Sequence, residues 1–150
     1  MTDLCIVPCG KEKIWKAEPL AGPTVARRVY TGRFAGTCIR YAEAFYPKSY
    51  VILSAKYGFL APDDLIEGDY NVTFKDQSTN PISLEVLVRT AGQKRLFGYR
   101  RIVAVVGKDY LDRIESVFPG ILIVTPLAGC KNMGEMIGKL KKAISSGRPL

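Results

Sequence analysis

Four short apolar runs punctuate the chain: Leu4 to Pro8, Tyr50 to Ser54, Ile102 to Val106 and Ile121 to Thr125. Each is nearly continuous in Val, Ile and Leu rather than alternating with polar residues, the pattern of strands covered on both faces and hence of a parallel sheet. Between them the apolar positions change to helical spacing. Cys38, Tyr41, Ala42 and Phe45 fall at i, i+3, i+4 and i+7, a stripe that faces a core. Ser83 is placed to cap a helix that turns Leu84, Leu87, Val88 and Ala91 inward. Tyr110, Leu111, Ile114, Val117 and Phe118 make a third stripe, closed by Gly120, and Met133, Met136, Ile137, Leu140 and Ile144 make the last. Thr24 to Tyr30 predicts one earlier helical turn, broken at Gly32. Asp63 to Pro81 is the longest irregular stretch, with an extended piece expected at Tyr70 to Phe74.

The order β-α-β-loop-α-β-α-β-α predicts an α/β three-layer sandwich with a mainly parallel four-stranded sheet, strand order 2-1-3-4, in one domain over residues 1–150. In such sheets ligands bind beyond the carboxyl ends of the strands, where the crossover direction reverses. The four loops at that edge are therefore the place to look for chemistry. They contain Cys9-Gly10-Lys11-Glu12-Lys13, Ser54-Ala55-Lys56-Tyr57-Gly58, Gly107-Lys108-Asp109-Tyr110 and Thr125-Pro126-Leu127-Ala128-Gly129. Glycine lets a ligand approach backbone N–H groups. Lysine supplies a point charge, or a nucleophile where its pKa is depressed. Tyrosine stacks on a base or donates its hydroxyl. No loop reads GxxxxGK[ST] or GxGxxG, which disfavours ATP hydrolysis and a dinucleotide cofactor.

Composition narrows the chemistry further. The chain has no histidine, which removes Ser-His-Asp and Cys-His nucleophile systems and argues against zinc hydrolase chemistry. Any acid or base must be Asp, Glu, Lys, Tyr or Cys, and no metal or cofactor is expected. Its four cysteines, Cys5, Cys9, Cys38 and Cys130, form no CxxC pair and read as thiols of a reducing compartment. Lys and Arg outnumber Asp and Glu by 22 to 14, a net charge of +8 that favours an anionic partner: a nucleotide, a nucleoside or nucleic acid. The apolar runs are too short to span a bilayer, and the start of the chain lacks the signature of a signal peptide. A cytoplasmic protein that does not engage membranes is the expectation.

The candidate catalytic residues are Lys13 and Lys56, as nucleophile or electrostatic stabiliser, and Asp63 and Asp69, as acid or base from the acidic stretch Asp63 to Asp69. Cys9, Gly10, Lys11, Ser54, Tyr57, Gly58, Tyr70, Gly107, Lys108, Thr125 and Gly129 are the candidate substrate contacts. Trp15 suits packing against the first helix better than stacking on a base.

Several blocks also carry a resemblance: Cys9-Gly10-Lys11-Glu12-Lys13, Tyr30-Thr31-Gly32-Arg33-Phe34, Ile52 to Leu60 with Pro62-Asp63, and Pro126-Leu127-Ala128-Gly129. They resemble a family of small uncharacterised proteins with the blocks CGK-K, YTG-F, ILSAKYG-L-P-D and PLAG. More distantly, Pro8, Cys9 and Lys13 are similar to the PC motif and following lysine of the core domain of archaeosine synthase. That likeness implies a uracil-glycosylase-like fold and a role on a nucleobase. The family's Pro-Tyr-Ser-x-Ser and histidine have no counterpart in Ile14-Trp15-Lys16-Ala17-Glu18-Pro19. Two readings stay open: an enzyme acting on a nucleoside or nucleic-acid base, and a non-catalytic nucleotide or nucleic-acid binding module.

Overall fold

A computed structural model describes residues 3–150. Strand β1 (Asp3–Pro8) lies at the centre of the main sheet, paired in parallel with β3 (Tyr50–Ser54) on one side and β6 (Arg101–Ala104) on the other. Its residues alternate between two cores. Cys5 and Val7 join one buried cluster, with Ile52 of β3 and Val103 of β6. Leu4 and Ile6 join the other, with Val51, Leu53, Ile102 and Ala104. Successive side chains of a strand point to opposite faces, so a strand apolar at every position has to be covered twice.

Helices supply the two covers. α3 (Arg33–Phe45) buries Cys38, Tyr41 and Ala42 against the first cluster, and α6 (Met133–Ser146) adds Leu140 and Ala143 there. On the opposite face α4 (Leu84–Gln93) contributes Leu87 and Ala91, and α5 (Lys108–Val117) contributes Ile114 and Val117. The caps follow from the sequence. Ser83 accepts the Val86 N–H and Asn132 the Glu135 N–H, while Gly147, at φ +72°, ends α6 in the left-handed conformation. The α/β class with helices on both faces therefore holds. Leu84, Val88 and Met133 depart from the expected stripes and face solvent, because the burying arc of their helices is narrower than the full apolar set.

The expected four-stranded 2-1-3-4 sheet is corrected to five strands in the order β4-β3-β1-β6-β7, where β7 is Leu122–Val124. The addition is β4 (Gly58–Leu60), antiparallel to β3 after a tight turn. Gly58 makes that turn at φ +81°, and a Cβ there would lie 2.6 Å from Thr90 Oγ1 of α4. The glycine expected to approach a ligand is thus explained by the turn and by packing on a helix. Thr24 to Tyr30 is not wholly helical. It begins as β2 (Thr24–Val25), which pairs antiparallel with β5 (Leu65–Ile66) in a second small sheet, and continues as the short α2 (Ala26–Val29). The extended piece expected at Tyr70 to Phe74 enters no strand. No helix among the described residues is long and apolar enough to cross a membrane.

Gly58→Ala combines a left-handed backbone with a steric conflict, so it should destabilise the fold by roughly 2 kcal/mol or more. A urea titration with an unchanged midpoint would refute this account of the turn.

Candidate functional site

Three parallel strands, β3, β1 and β6, end side by side. The crossover from β1 runs to β3 on one flank, and the next parallel strand of the sheet, β6, lies on the other flank. The reversal therefore lies between the ends of β1 and β6, the point where an open α/β sheet leaves a crevice. Cys9 follows β1, and Tyr110 stands in the first turn of α5, after β6. They meet there, Sγ to Oη at 3.0 Å.

Ser54, the last residue of β3, is fully buried. Its Oγ accepts the backbone N–H groups of Lys56 at 3.2 Å and Tyr57 at 3.1 Å, holding the Lys56-Tyr57 turn against the strand end. The same oxygen lies 2.8 Å from the hydroxyl of Tyr70, which in turn lies 2.5 Å from the hydroxyl of Tyr30. Tyr70 comes from the irregular strap that follows β5. Phe74, further along, packs edge-to-face on Tyr110 and under the guanidinium of Arg113. The strap is tied at one end to β3 and at the other to α5.

Lys13 is the charged group of this cluster. Its backbone forms an isolated antiparallel bridge with Tyr30, and Thr31 donates its N–H to the Glu12 carbonyl. The side chain is only 4% exposed. Its Nζ donates to the Lys11 carbonyl at 3.1 Å and sits over the Tyr70 ring, 4.4 Å from the centroid. None of the ion pairs among the described residues includes Lys13. Desolvation lowers its pKa, partly opposed by the charges of Cys9 and Asp69. Burial likewise raises the Cys9 thiol, against the hydrogen bonds from Tyr110 and the Ala55 backbone and the charge of Lys13, and keeps the hydroxyls of Tyr30, Tyr70 and Tyr110 protonated well above the usual tyrosine range. Lys56 is exposed, with its ammonium 5.1 Å from the Tyr57 ring centroid and 5.4 Å from that of Tyr70. Two cations thus share the Tyr70 ring, and Tyr57 meets Tyr70 edge-on at 5.3 Å.

The anticipated set divides. Cys9, Lys13, Ser54, Lys56, Tyr57 and Tyr70 come together, and Asp69 reaches Lys13 through its field. Lys11 contributes its backbone carbonyl. Gly10 is explained by packing, since a Cβ there would stand 3.1 Å from the Ala35 side chain. Gly107 caps α5, Lys108 is exposed beside it, and Thr125 accepts the Ala128 N–H with its carbonyl. Gly129, at φ +89°, lines a different, open hollow of about 560 Å³ with Cys130, Lys139 and Lys142. Asp63 binds the Arg27 guanidinium at 3.0 Å beside a second hollow lined by Tyr50 and Glu43, and its partner there is a surface cation rather than Lys13. Tyr30 and Tyr110 were not among the anticipated contacts. Both stand in blocks that signal them: Tyr30 opens the Tyr-Thr-Gly block, and Tyr110 closes the loop after β6.

The family model for the family of unknown function DUF6884 matches residues 4–142. The chain belongs to that family. The chain is also similar to the uncharacterized protein YfjM of Bacillus subtilis strain 168, 38% identical over 151 residues that cover all of both chains.

Ser54→Ala would strand two backbone N–H groups and the Tyr70 hydroxyl, and should cost about 1–3 kcal/mol in urea unfolding. A loss below experimental error would show that Ser54 does not organise the site. The pH dependence has a definite sign as well. The buried thiols and phenols keep their protons in the folded state where the unfolded chain gives them up, so the folded state binds more protons and stability falls with rising pH. Lys13 acts in the opposite sense but is one group against several. Unfolding free energy should therefore decline from about pH 8.5 to 10.5; a flat or rising curve would contradict this burial pattern.

Proposed function

We propose that the cluster at the ends of β1, β3 and β6 binds a nucleoside, nucleotide or nucleic-acid base, and that Lys13 acts on it. The observation that carries this reading is the state of Lys13. It is an amine held in a nearly dry, aromatic setting, with a lowered pKa and without a bound carboxylate. Desolvation is how proteins turn lysine into a nucleophile near neutral pH. Tyr57 and Lys56, at the rim, are the natural ledge for a base, which stacks on an aromatic face beside a cation. The distant likeness of Pro8, Cys9 and Lys13 to the archaeosine synthase core domain supports the same substrate class.

In the catalytic form, the neutral Lys13 amine attacks the anomeric carbon. The glycosidic bond breaks, its electron pair leaves with the base, and the base takes a proton. The second amine proton passes to the ring oxygen, whose bond to the anomeric carbon breaks as the sugar ring opens, and an imine results. Asp69, the carboxylate whose field reaches Lys13, is the residue suited to handle those protons. A second reading, a module that binds without turnover, draws on the same burial: Lys13 is covered by Tyr70, so a ligand must first displace the strap.

Borohydride added to the wild-type protein with abasic or base-modified oligonucleotides should trap a covalent adduct that Lys13→Ala loses and Lys56→Ala keeps. No adduct, together with salt-sensitive binding of nucleotides and no product, would establish the binding module instead. No adduct and no binding would remove both.

A further inference from the structure

The hydrogens and lone pairs of the buried cluster do not balance, and the imbalance has a direction. Ser54 Oγ accepts two backbone N–H groups, so both of its lone pairs are taken and its own proton goes to Tyr70. The Tyr70–Tyr30 contact then uses one of the two phenol protons, whichever hydroxyl donates. One proton of this buried phenol pair is left over, and Tyr30, 3% exposed, becomes free to donate when Tyr70 moves off it. Cys9 and Tyr110 bring two hydrogens to one contact, so one of those is also left over. The Lys13 ammonium has three N–H donors and spends one on the Lys11 carbonyl. The cluster therefore holds spare donors, and among the described residues no carboxylate is ion-paired with Lys13.

Resting on the reading that this site binds the ligand, we infer that the buried cluster takes the ligand's oxyanion, a phosphoryl or carboxylate group, with Lys13 and Tyr30 as the donors that meet it. Tyr57 and Lys56 are then left at the rim for the ring of the ligand. A base carbonyl would satisfy a donor but leave the Lys13 charge buried without a counter-ion, an arrangement that proteins seldom keep. An oxyanion supplies acceptors and charge together, and charge-assisted bonds of this kind are the strong ones. Entry requires Tyr70 to swing off Lys13. The strap that carries Tyr70 has no strand or helix from Glu67 to Thr73, so the movement breaks the Tyr70 hydroxyl contacts with Ser54 and Tyr30 rather than a backbone ladder.

The test is titration of the full chain with inorganic phosphate, acetate, a nucleoside and its 5′-monophosphate, read by calorimetry and by the side-chain ¹⁵N resonance of Lys13 in the wild type. Phosphate or acetate should shift that resonance, and the comparison of the two identifies which oxyanion the site takes. The monophosphate should bind at least about tenfold tighter than the nucleoside, and Tyr30→Phe should remove about tenfold of the affinity for the oxyanion. Nucleoside binding equal to monophosphate binding, with the Lys13 resonance unmoved by either ion, would overturn the inference and leave the site's base-binding role standing. Phosphate binding undiminished in both Tyr30→Phe and Lys13→Met would also overturn it, by placing the ion elsewhere. If none of the probes binds, the parent reading falls with it. Because the resonance is read on unaltered protein, the outcome does not depend on either variant folding.

Discussion

The Ser54 hydroxyl is where the sheet, the following turn and the tyrosine strap are joined. One oxygen fixes the Lys56-Tyr57 turn by accepting two N–H groups, and it fixes Tyr70 by the remaining contact. Tyr70 in turn roofs Lys13 and reaches Tyr30. A neutral hydroxyl at that point costs little to bury when every one of its bonding directions is used. The strap brings no backbone ladder of its own, so this contact and the packing of Phe74 on Tyr110 are what hold it in place.

Much of this architecture was legible in the sequence because parallel strands advertise themselves. Unbroken runs such as Leu4 to Pro8 can only sit in a sheet covered on both faces, and the alternation of Cys5 and Val7 against Leu4 and Ile6 realises that requirement. The meeting of Cys9, Lys13 and Ser54 was likewise foreseeable from the rule that ligands approach the carboxyl ends of such strands.

What escaped the sequence was short-range or long-range in a way that periodicity does not record. Strands β2, β4 and β5 span two or three residues each, too short for any alternation to register. Asp63 looked like a neighbour of the lysine loops, but the β2–β5 pairing turns its segment towards α2, where Arg27 takes the carboxylate. Gly58 and Gly10 resembled the glycines of ligand loops, yet their missing side chains serve the approach of helices α4 and α3. Tyr110 packed into a helical stripe on paper. In three dimensions its ring does so while its hydroxyl reaches Cys9 across 101 residues of chain.

Trp15 is the chain's sole tryptophan, and its indole N–H is satisfied by the Gly22 carbonyl at 2.8 Å. It is buried in the same apolar cluster as Cys9, Tyr30 and Tyr70, two residues along from Lys13. The fold has thereby placed its single indole chromophore against the wall of the site and left the α4–α5 side without one. Indole emission from this protein reports on one half of the molecule, and water entering around the tyrosines would be seen there as a red shift.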